Sequence, residues 1–352
     1  MKKALTFFRS FFYSALLPML IIILIVSAWL FVVKRERHDE KEAFLHYDGF
    51  FPHSVNNPFR EPPRRVIILR PEIADTLIRL GVGESVIAAY ISPERRKDIP
   101  CYRKKMPNAQ ILTKDLTREE AIFLNPDFII GWRGGFDAKR MGSPAFWNQR
   151  NVPTYVEENS GAMPDPYPPF KKINYPSFSV DNEIQFIKNM GTIFQKNEEA
   201  QKEVEKIEKT LAEIQSKVKQ KGSKLVLTMQ FRRGQVEVLG DKTLSGDIIR
   251  RIGCKNVDYE GLLMPVENFL FTDPDNIIVI YDFVGGDASL KNQLQLLKGY
   301  PYSQIRAVKE GKLGAMQYFH GLIATNVHTD ESIRHIYEAI YESPLSNDIK
   351  SR

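Results

Sequence analysis

Cysteine is nearly absent from this 352-residue chain: Cys101 and Cys254 are the only two, about 150 residues apart and without C-x-x-C spacing. That excludes a cysteine-based zinc site and a disulfide scaffold. What remains is one long-range disulfide or two unpaired buried thiols, the second being the simpler reading. Enzyme signatures are missing too. There is no G-x-S-x-G elbow, no P-loop and no G-x-G-x-x-G after the first strand. Trp132-Arg133-Gly134-Gly135 is a glycine turn and not a dinucleotide fingerprint. No catalytic role and no cofactor is implied. The excess of Lys and Arg (49) over Asp and Glu (43) is small and spread along the chain. A nucleic-acid binder concentrates such charge on one stripe or arm, so no nucleic-acid partner is expected.

Long apolar runs are scarce as well, and one stands out. Ala15 to Val33 carries no charged residue. As a helix rising 1.5 Å per residue it would span roughly 28 Å, about the hydrocarbon thickness of a bilayer. Pro18 falls in its first turn, where proline is tolerated. The exit, Ser27-Ala28-Trp29-Leu30-Phe31, offers no A-x-A-like cleavage site, and no cysteine stands ready for lipidation. Residues 1–34 are therefore expected to be an uncleaved signal anchor, a cleaved signal being the alternative. Lys2, Lys3 and Arg9 before the run nearly balance Lys34, Arg35 and Arg37 after it, so charge does not orient it. Residues 35–63 mix charge, His and Pro and read as a tether.

Beyond the tether, strands and helices alternate. Arg65–Leu69, Val86–Tyr90 and Phe128–Gly131 read as buried strands. Ile73, Leu77 and Leu80 mark a helix that stops at Gly81, and Thr117–Leu124 a shorter one. Residues 181–221 then run without proline, with apolar residues at three- and four-residue steps from Ile184 to Ile214. This predicts one long helix, or two in tandem, with one face on a core. A coiled coil is the weaker alternative, because only the later part holds heptad spacing. The strand–helix pattern restarts at Leu225–Met229, continues through Gly246–Ile252, Ile277–Ile280 and Lys312–Met316, and ends in a helix over Glu331–Tyr341. Such alternation argues for mostly parallel α/β sheets.

An internal repeat divides the body. Glu119, Pro126, Asp127, Ile129 and Ile130 recur as Glu267, Pro274, Asp275, Ile277 and Ile278, each 148 residues later. The reading is a short helix, a Pro-Asp corner that stops it, and a buried strand. The expected architecture is α/β with two lobes, 64–180 and 222–345, joined by a single long backbone helix at 181–221 and preceded by one transmembrane helix.

With these marks the chain resembles the extracytoplasmic substrate-binding proteins of ABC importers for ferric siderophores, haem and cobalamin, over about residues 64–342. The motifs are Val66-Ile67-Ile68-Leu69-Arg70-Pro71 with Leu80-Gly81, the two Glu…Pro-Asp blocks, Gly246-Asp247-Ile248-Ile249 with Gly253 and Asn256, and Ala307-Val308-Lys309 before Gly311-Lys312. The chain departs from the pattern at Arg70, where the family usually has a small polar residue, and at Asp75, where it usually has Glu. A membrane helix also replaces the lipidated cysteine or cleaved signal. The resemblance implies a monomeric, non-catalytic receptor whose body lies outside the cytoplasm, single-pass at the cell membrane. It further implies an ABC permease as partner, with Glu119 and Glu267 as docking carboxylates, one per lobe; Glu120 is adjacent. The competing role for these residues is to favour the N-terminus of a short helix.

Ligands of open α/β sheets sit beyond the carboxyl ends of strands. Residues there are Arg70, Trp132 and Arg133, then Arg232 and Arg233, Tyr281, Tyr318 and His320. Guanidinium groups interleaved with aromatics suit an anionic metal chelate such as a ferric siderophore. Related receptors for bare metal ions draw several His and carboxylates from both lobes. Here none of the six His falls after a first-lobe strand, so no all-protein metal site is expected. His320, with Tyr318 nearby, keeps a haem or cobalamin receptor open, and a membrane-fixed sensor of the same fold is the remaining alternative.

Overall fold

The computed structural model describes residues 61–137, 140–161, 178–232, 234–259, 263–281, 289–317 and 325–342. The Ala15–Val33 run, nearly all of the tether, and Arg233, Tyr318 and His320 lie outside these. Among the described residues no helix is long and apolar enough to cross a membrane.

Strands β1 (Val66–Ile68), β2 (Val86–Tyr90), β3 (Gln110–Leu112), β4 (Phe128–Gly131) and β5 (Thr154–Val156) form one sheet in the order β3-β2-β1-β4-β5. Every pairing in it is parallel. β1 is buried on both faces, as its unbroken Val-Ile-Ile run requires in a sheet covered by helices on each side. Pro71 then opens α1 (Pro71–Arg79) at the position where its missing N–H costs nothing.

The second sheet contains β6 (Leu225–Arg232), β7 (Gln235–Val238), β8 (Lys255–Asn256), β9 (Leu263–Met264), β10 (Asn276–Tyr281) and β11 (Leu313–Gln317). Its parallel part, β8-β6-β10-β11, repeats the order β2-β1-β4-β5 of the first sheet. β7 and β9 are additions paired antiparallel. Mostly parallel pairing therefore holds throughout the first sheet and only for part of the second. The cause is local: Gly234, at φ 75°, lets the chain reverse tightly after β6.

The Pro-Asp corners explain the repeat. α2 (Arg118–Leu124) ends at Asn125 in the left-handed conformation. Asp127 then accepts the N–H groups of Arg64 and Arg65 at 2.8 and 2.9 Å, at the start of β1. In the second lobe the equivalent helix ends at left-handed Asp273, and Asp275 accepts the Leu225 N–H at 2.9 Å, at the start of β6. Each corner clamps its strand to the beginning of the neighbouring one.

The linking segment is two helices, α3 (Val180–Ile193) and α4 (Asn197–Lys221), the tandem alternative and not the single helix of the expected architecture. The chain leaves the helix at Phe194, and Gln195 is left-handed at φ 55°. Phe194 turns into the core, 2% exposed. A Cβ at Gly191 would stand 2.5 Å from that of Ala200, so the glycine lets the two helices fold closely against each other. α5 (Leu244–Arg251), α6 (Val266–Thr272) and α7 (Thr329–Tyr341) complete the elements used below. α7 lies against β11, where Gly314 meets Ala339. One apolar cluster runs from Val66 through Ile187, Val204 and Ile249 to Ile340, so the lobes and the linking helices share a core. Both cysteines are unpaired; Cys254 is buried, but Cys101 is exposed and not the buried thiol expected.

Candidate functional site

The residues that follow the strands stand at the carboxyl edges of the two sheets. Arg70, after β1, donates to Glu157, after β5, at 2.9 Å and to Glu72 at 3.1 Å. Asn326, which leads into α7, donates its side-chain amide to the other Glu157 oxygen at 2.8 Å. Glu183 of α3 accepts the backbone N–H groups of Thr325, at 3.1 Å, and of Asn326, together with the Asn159 amide. The carboxyl edge of the first sheet is thereby tied to the segment that follows β11 through buried polar groups.

The electrostatics follow from burial. Three carboxylates, Glu72, Glu157 and Glu183, share one guanidinium. Burial pushes Glu157 above the ordinary carboxylate range and Glu183 up to about 8. Neighbouring Glu158 rises to about 7 for the same reason. Burial disfavours the Arg70 cation, but Glu157 and Glu72 outweigh it and raise its pKa. A desolvated carboxyl in such company keeps its proton more easily.

Arg70, expected from the sequence to contact ligand, is held within the protein by these groups. It is 6% exposed and engaged by Glu72 and Glu157, so it braces the lobe junction. Trp132 and Arg133 do stand at the carboxyl end of β4, both half-buried. The Trp132 indole folds over Gly134, where a Cβ would lie 2.4 Å from the ring, and Arg140 stands 5.3 Å from its centroid. Arg232 and Tyr281 end the adjacent parallel strands β6 and β10. The Arg232 side chain is 59% exposed, with Glu237 at 3.6 Å. Both sheets thus present an aromatic and an arginine at their carboxyl edges. Glu157, Glu183, Asn326 and the Asp75–His328 pair had no role in the sequence reading. Their partners lie tens to hundreds of residues away, so no local spacing marks them. Among the described residues no cluster of three His, Cys, Asp or Glu side chains is arranged to hold a metal ion.

Glu119 and Glu267 occupy the second position of α2 and α6, both exposed. Glu120 is engaged within its own helix. Its carboxylate accepts the Thr117 N–H at 2.9 Å while the Glu120 N–H donates to the Thr117 hydroxyl, closing a capping box. Those bonds from Thr117 hold the Glu120 pKa down. The ends of α2 and of the second corner pack at the strand starts, where Arg65 donates to the Leu124 and Asn125 carbonyls and Arg306 to the Asp273 carboxylate. The carboxyl-terminal ends of these helices therefore lie at the amino edges of the sheets, with Glu119 and Glu267 at the opposite helix ends. An open hollow of about 520 Å³ lies beside Leu270, Ile305, Arg306 and Lys309.

Comparison with known proteins agrees with this fold. A family described as "Periplasmic binding protein" matches residues 66–317. The "High-affinity heme uptake system protein IsdE" of Staphylococcus aureus is 23% identical over 220 residues, 58% of this chain and 75% of that protein. Among solved structures, a periplasmic binding protein from Veillonella parvula aligns with a TM-score of 0.66 at 21% identity, covering 81% of this chain and 87% of that one. The petrobactin-binding protein YclQ of Bacillus subtilis aligns at 0.61 and 18%, covering 80% and 93%. At these identities the structural likeness concerns the fold alone.

Proposed function

The chain belongs to the periplasmic binding protein family, whose members are carriers and not enzymes, and from that premise we propose that it captures an iron–siderophore or similar anionic metal chelate between its lobes and delivers it to an ABC permease. The observation that carries the delivery role is the duplicated corner, which exposes Glu119 and Glu267 at the same position of two equivalent helices, one in each lobe. Paired surface carboxylates set register and orientation on a basic partner more than raw affinity. Glu120 leaves this role to Glu119, since its own carboxylate closes the helix cap.

The ligand class rests on what both sheets present at their carboxyl edges: Trp132 and Arg133 from the first, Arg232 and Tyr281 from the second. Arg233, Tyr318 and His320 follow strands of the second lobe in sequence and join this set as candidates. Guanidinium groups pair with chelate oxygens, and aromatic faces pack flat ligands. The remaining parts of the reading are a body outside the cytoplasm, residues 1–34 as its membrane anchor, and a monomeric state. A haem receptor is the second reading, favoured by the likeness to a haem uptake protein and by His320 and Tyr318 beyond β11.

The test is a titration of the full chain, in detergent, with ferric catecholate and carboxylate chelates, haem and cobalamin, read by tryptophan quenching and, for haem, by its visible absorption. Micromolar quenching by a ferric chelate is expected, weakened at least tenfold in Arg133→Ala and Arg232→Ala. A response to haem alone moves the assignment to the second reading. No response to any ferric chelate overturns the first.

A further inference from the structure

Two large apolar side chains stand almost fully in water. Phe123 is 90% exposed and Phe271 89%. They are the same residue of the repeat, 148 positions apart, each one helical turn after the glutamate of its lobe (Glu119 or Glu267). Residues four apart share a helix face, so each phenylalanine stands beside a carboxylate. The preceding residues, Ile122 and Leu270, are 46% and 38% exposed. On the other face Ala121 and Phe269 are both fully buried and hold each helix to its lobe. Single exposed hydrophobics are ordinary on protein surfaces. An exposed pair at one position of both lobes, where the buried anchor between them changes from Ala to Phe, is not a random scatter.

We propose that Phe123 and Phe271 are paired apolar anchors that insert into two equivalent hydrophobic sockets, each rimmed by basic groups, on one membrane permease. This rests on the docking reading of Glu119 and Glu267 and goes beyond it by naming the group that supplies the affinity. Charge selects the occupant. A carboxylate beside each phenylalanine opposes an anionic lipid surface, and a second copy of this chain would set Glu119 or Glu267 against another glutamate. Position gives the rest. The two patches hold the same place of the repeat, one on each lobe, so one partner engaging both spans the two lobes. Desolvated aromatic anchors surrounded by polar groups are what dominate interface energies, and two linked contacts raise the effective affinity of each.

The experiment places a benzophenone side chain at position 123, or at 271, of the full chain in its own cells, followed by irradiation and mass spectrometry of the adducts. One multi-span membrane protein attached from both positions is the expected result. Phe271→Ala should lower the adduct yield from position 123 about tenfold, the consequence of losing roughly 1.4 kcal/mol of shared binding, and Phe123→Ala should do the same in reverse. Phe→Leu at either site should restore most of it. Adducts to lipid, to a second copy, or to different proteins at the two positions overturn the proposal. Full yield in the alanine variants, combined with loss in Glu119→Arg and Glu267→Arg, overturns the anchors while leaving carboxylate docking intact. Yield unchanged by any of these substitutions overturns both.

Discussion

Asp75 and Asp247 occupy the same place in the duplicated lobe: each stands six residues before the glycine that ends its helix, Gly81 or Gly253. Each also holds the start of a helix from outside its own sheet. Asp247 accepts the Val180 N–H at 2.9 Å, at the first residue of α3. Asp75 lies 3.0 Å from the His328 imidazole, at the N-cap of α7. A carboxylate at a helix N-terminus meets the positive end of the dipole. The two aspartates are therefore matched fastenings, Asp247 holding the second lobe to the linking helix α3 and Asp75 holding the first lobe to the terminal helix α7.

The Asp75–His328 contact makes the lobe junction sensitive to pH. Burial disfavours the imidazolium, but Asp75 and Glu331 outweigh it and raise the His328 pKa. Burial likewise opposes the Asp75 carboxylate, and His328 and Arg95 pull its pKa down. The histidine's contribution is complete below its ordinary value near 6.5 and is lost as pH rises through its raised one. The aspartate's is complete above its ordinary value near 3.8 and is lost on acidification below it. His328→Asn should cost about 1–2 kcal/mol at pH 5.5 and clearly less at pH 9, measured as urea unfolding free energy. An equal cost at both values would remove the ionic part of the contact.

Glu183 and Glu158 add a slope of the same sign. Burial raises them to about 8 and about 7, so between pH 5 and 8 the folded chain retains protons that the unfolded chain releases, and stability falls as pH rises. Urea midpoints across that range should decline. Glu183→Gln should show the shallower decline, at an absolute cost of about 1–3 kcal/mol because its amide then meets the Asn159 amide donor. Parallel slopes for the two proteins would exclude Glu183 as a source.

Arg70→Met separates a structural role from a ligand role. Removing the guanidinium leaves Glu72 and Glu157 buried without their cation. A loss of about 3–5 kcal/mol is expected at pH 7, and a smaller one at lower pH, because burial raises the Glu157 pKa and a protonated carboxyl needs no cation. Wild-type stability with lost chelate binding would return Arg70 to the ligand set.

Gly314→Ala tests the packing of α7 on β11. The added methyl would stand 2.5 Å from the Ala339 Cβ and 2.7 Å from its carbonyl oxygen, so strand and helix must part. A loss of about 1–3 kcal/mol follows, read by thermal or urea unfolding. Gly253→Ala, whose added methyl would meet little but is strained by φ 96°, serves as the backbone-conformation control.

What could be read in advance was what depends on neighbours in the chain. Buried parallel strands advertise themselves as apolar runs, and Val86–Tyr90 and Phe128–Gly131 were read with the boundaries observed. The Pro-Asp corner was legible because a proline that cannot continue a helix acts on its own neighbours, although the strand its aspartate clamps starts 50 to 63 residues earlier. Two helices in tandem were one reading of this segment, but the place of the break at Gln195 was not legible, since neither proline nor glycine stands at it; Gly191 and Ala200 open the space for it only when the helices fold together. Arg70 followed a strand like any cleft residue, and Glu157, 87 residues on, took its charge.

The sequence alone determined the two-lobed α/β plan, the duplicated corners and the candidate residues at strand ends, because helix stops, strand runs and turns are local consequences of side-chain chemistry. Only the tertiary structure decided which charges are buried at the lobe junction and which side chains face water. Phe123 and Phe269 read alike as apolar residues of short helices. Burial separates them, 90% exposed against 0%, because which face of a short helix meets the core is set by the sheet beneath it.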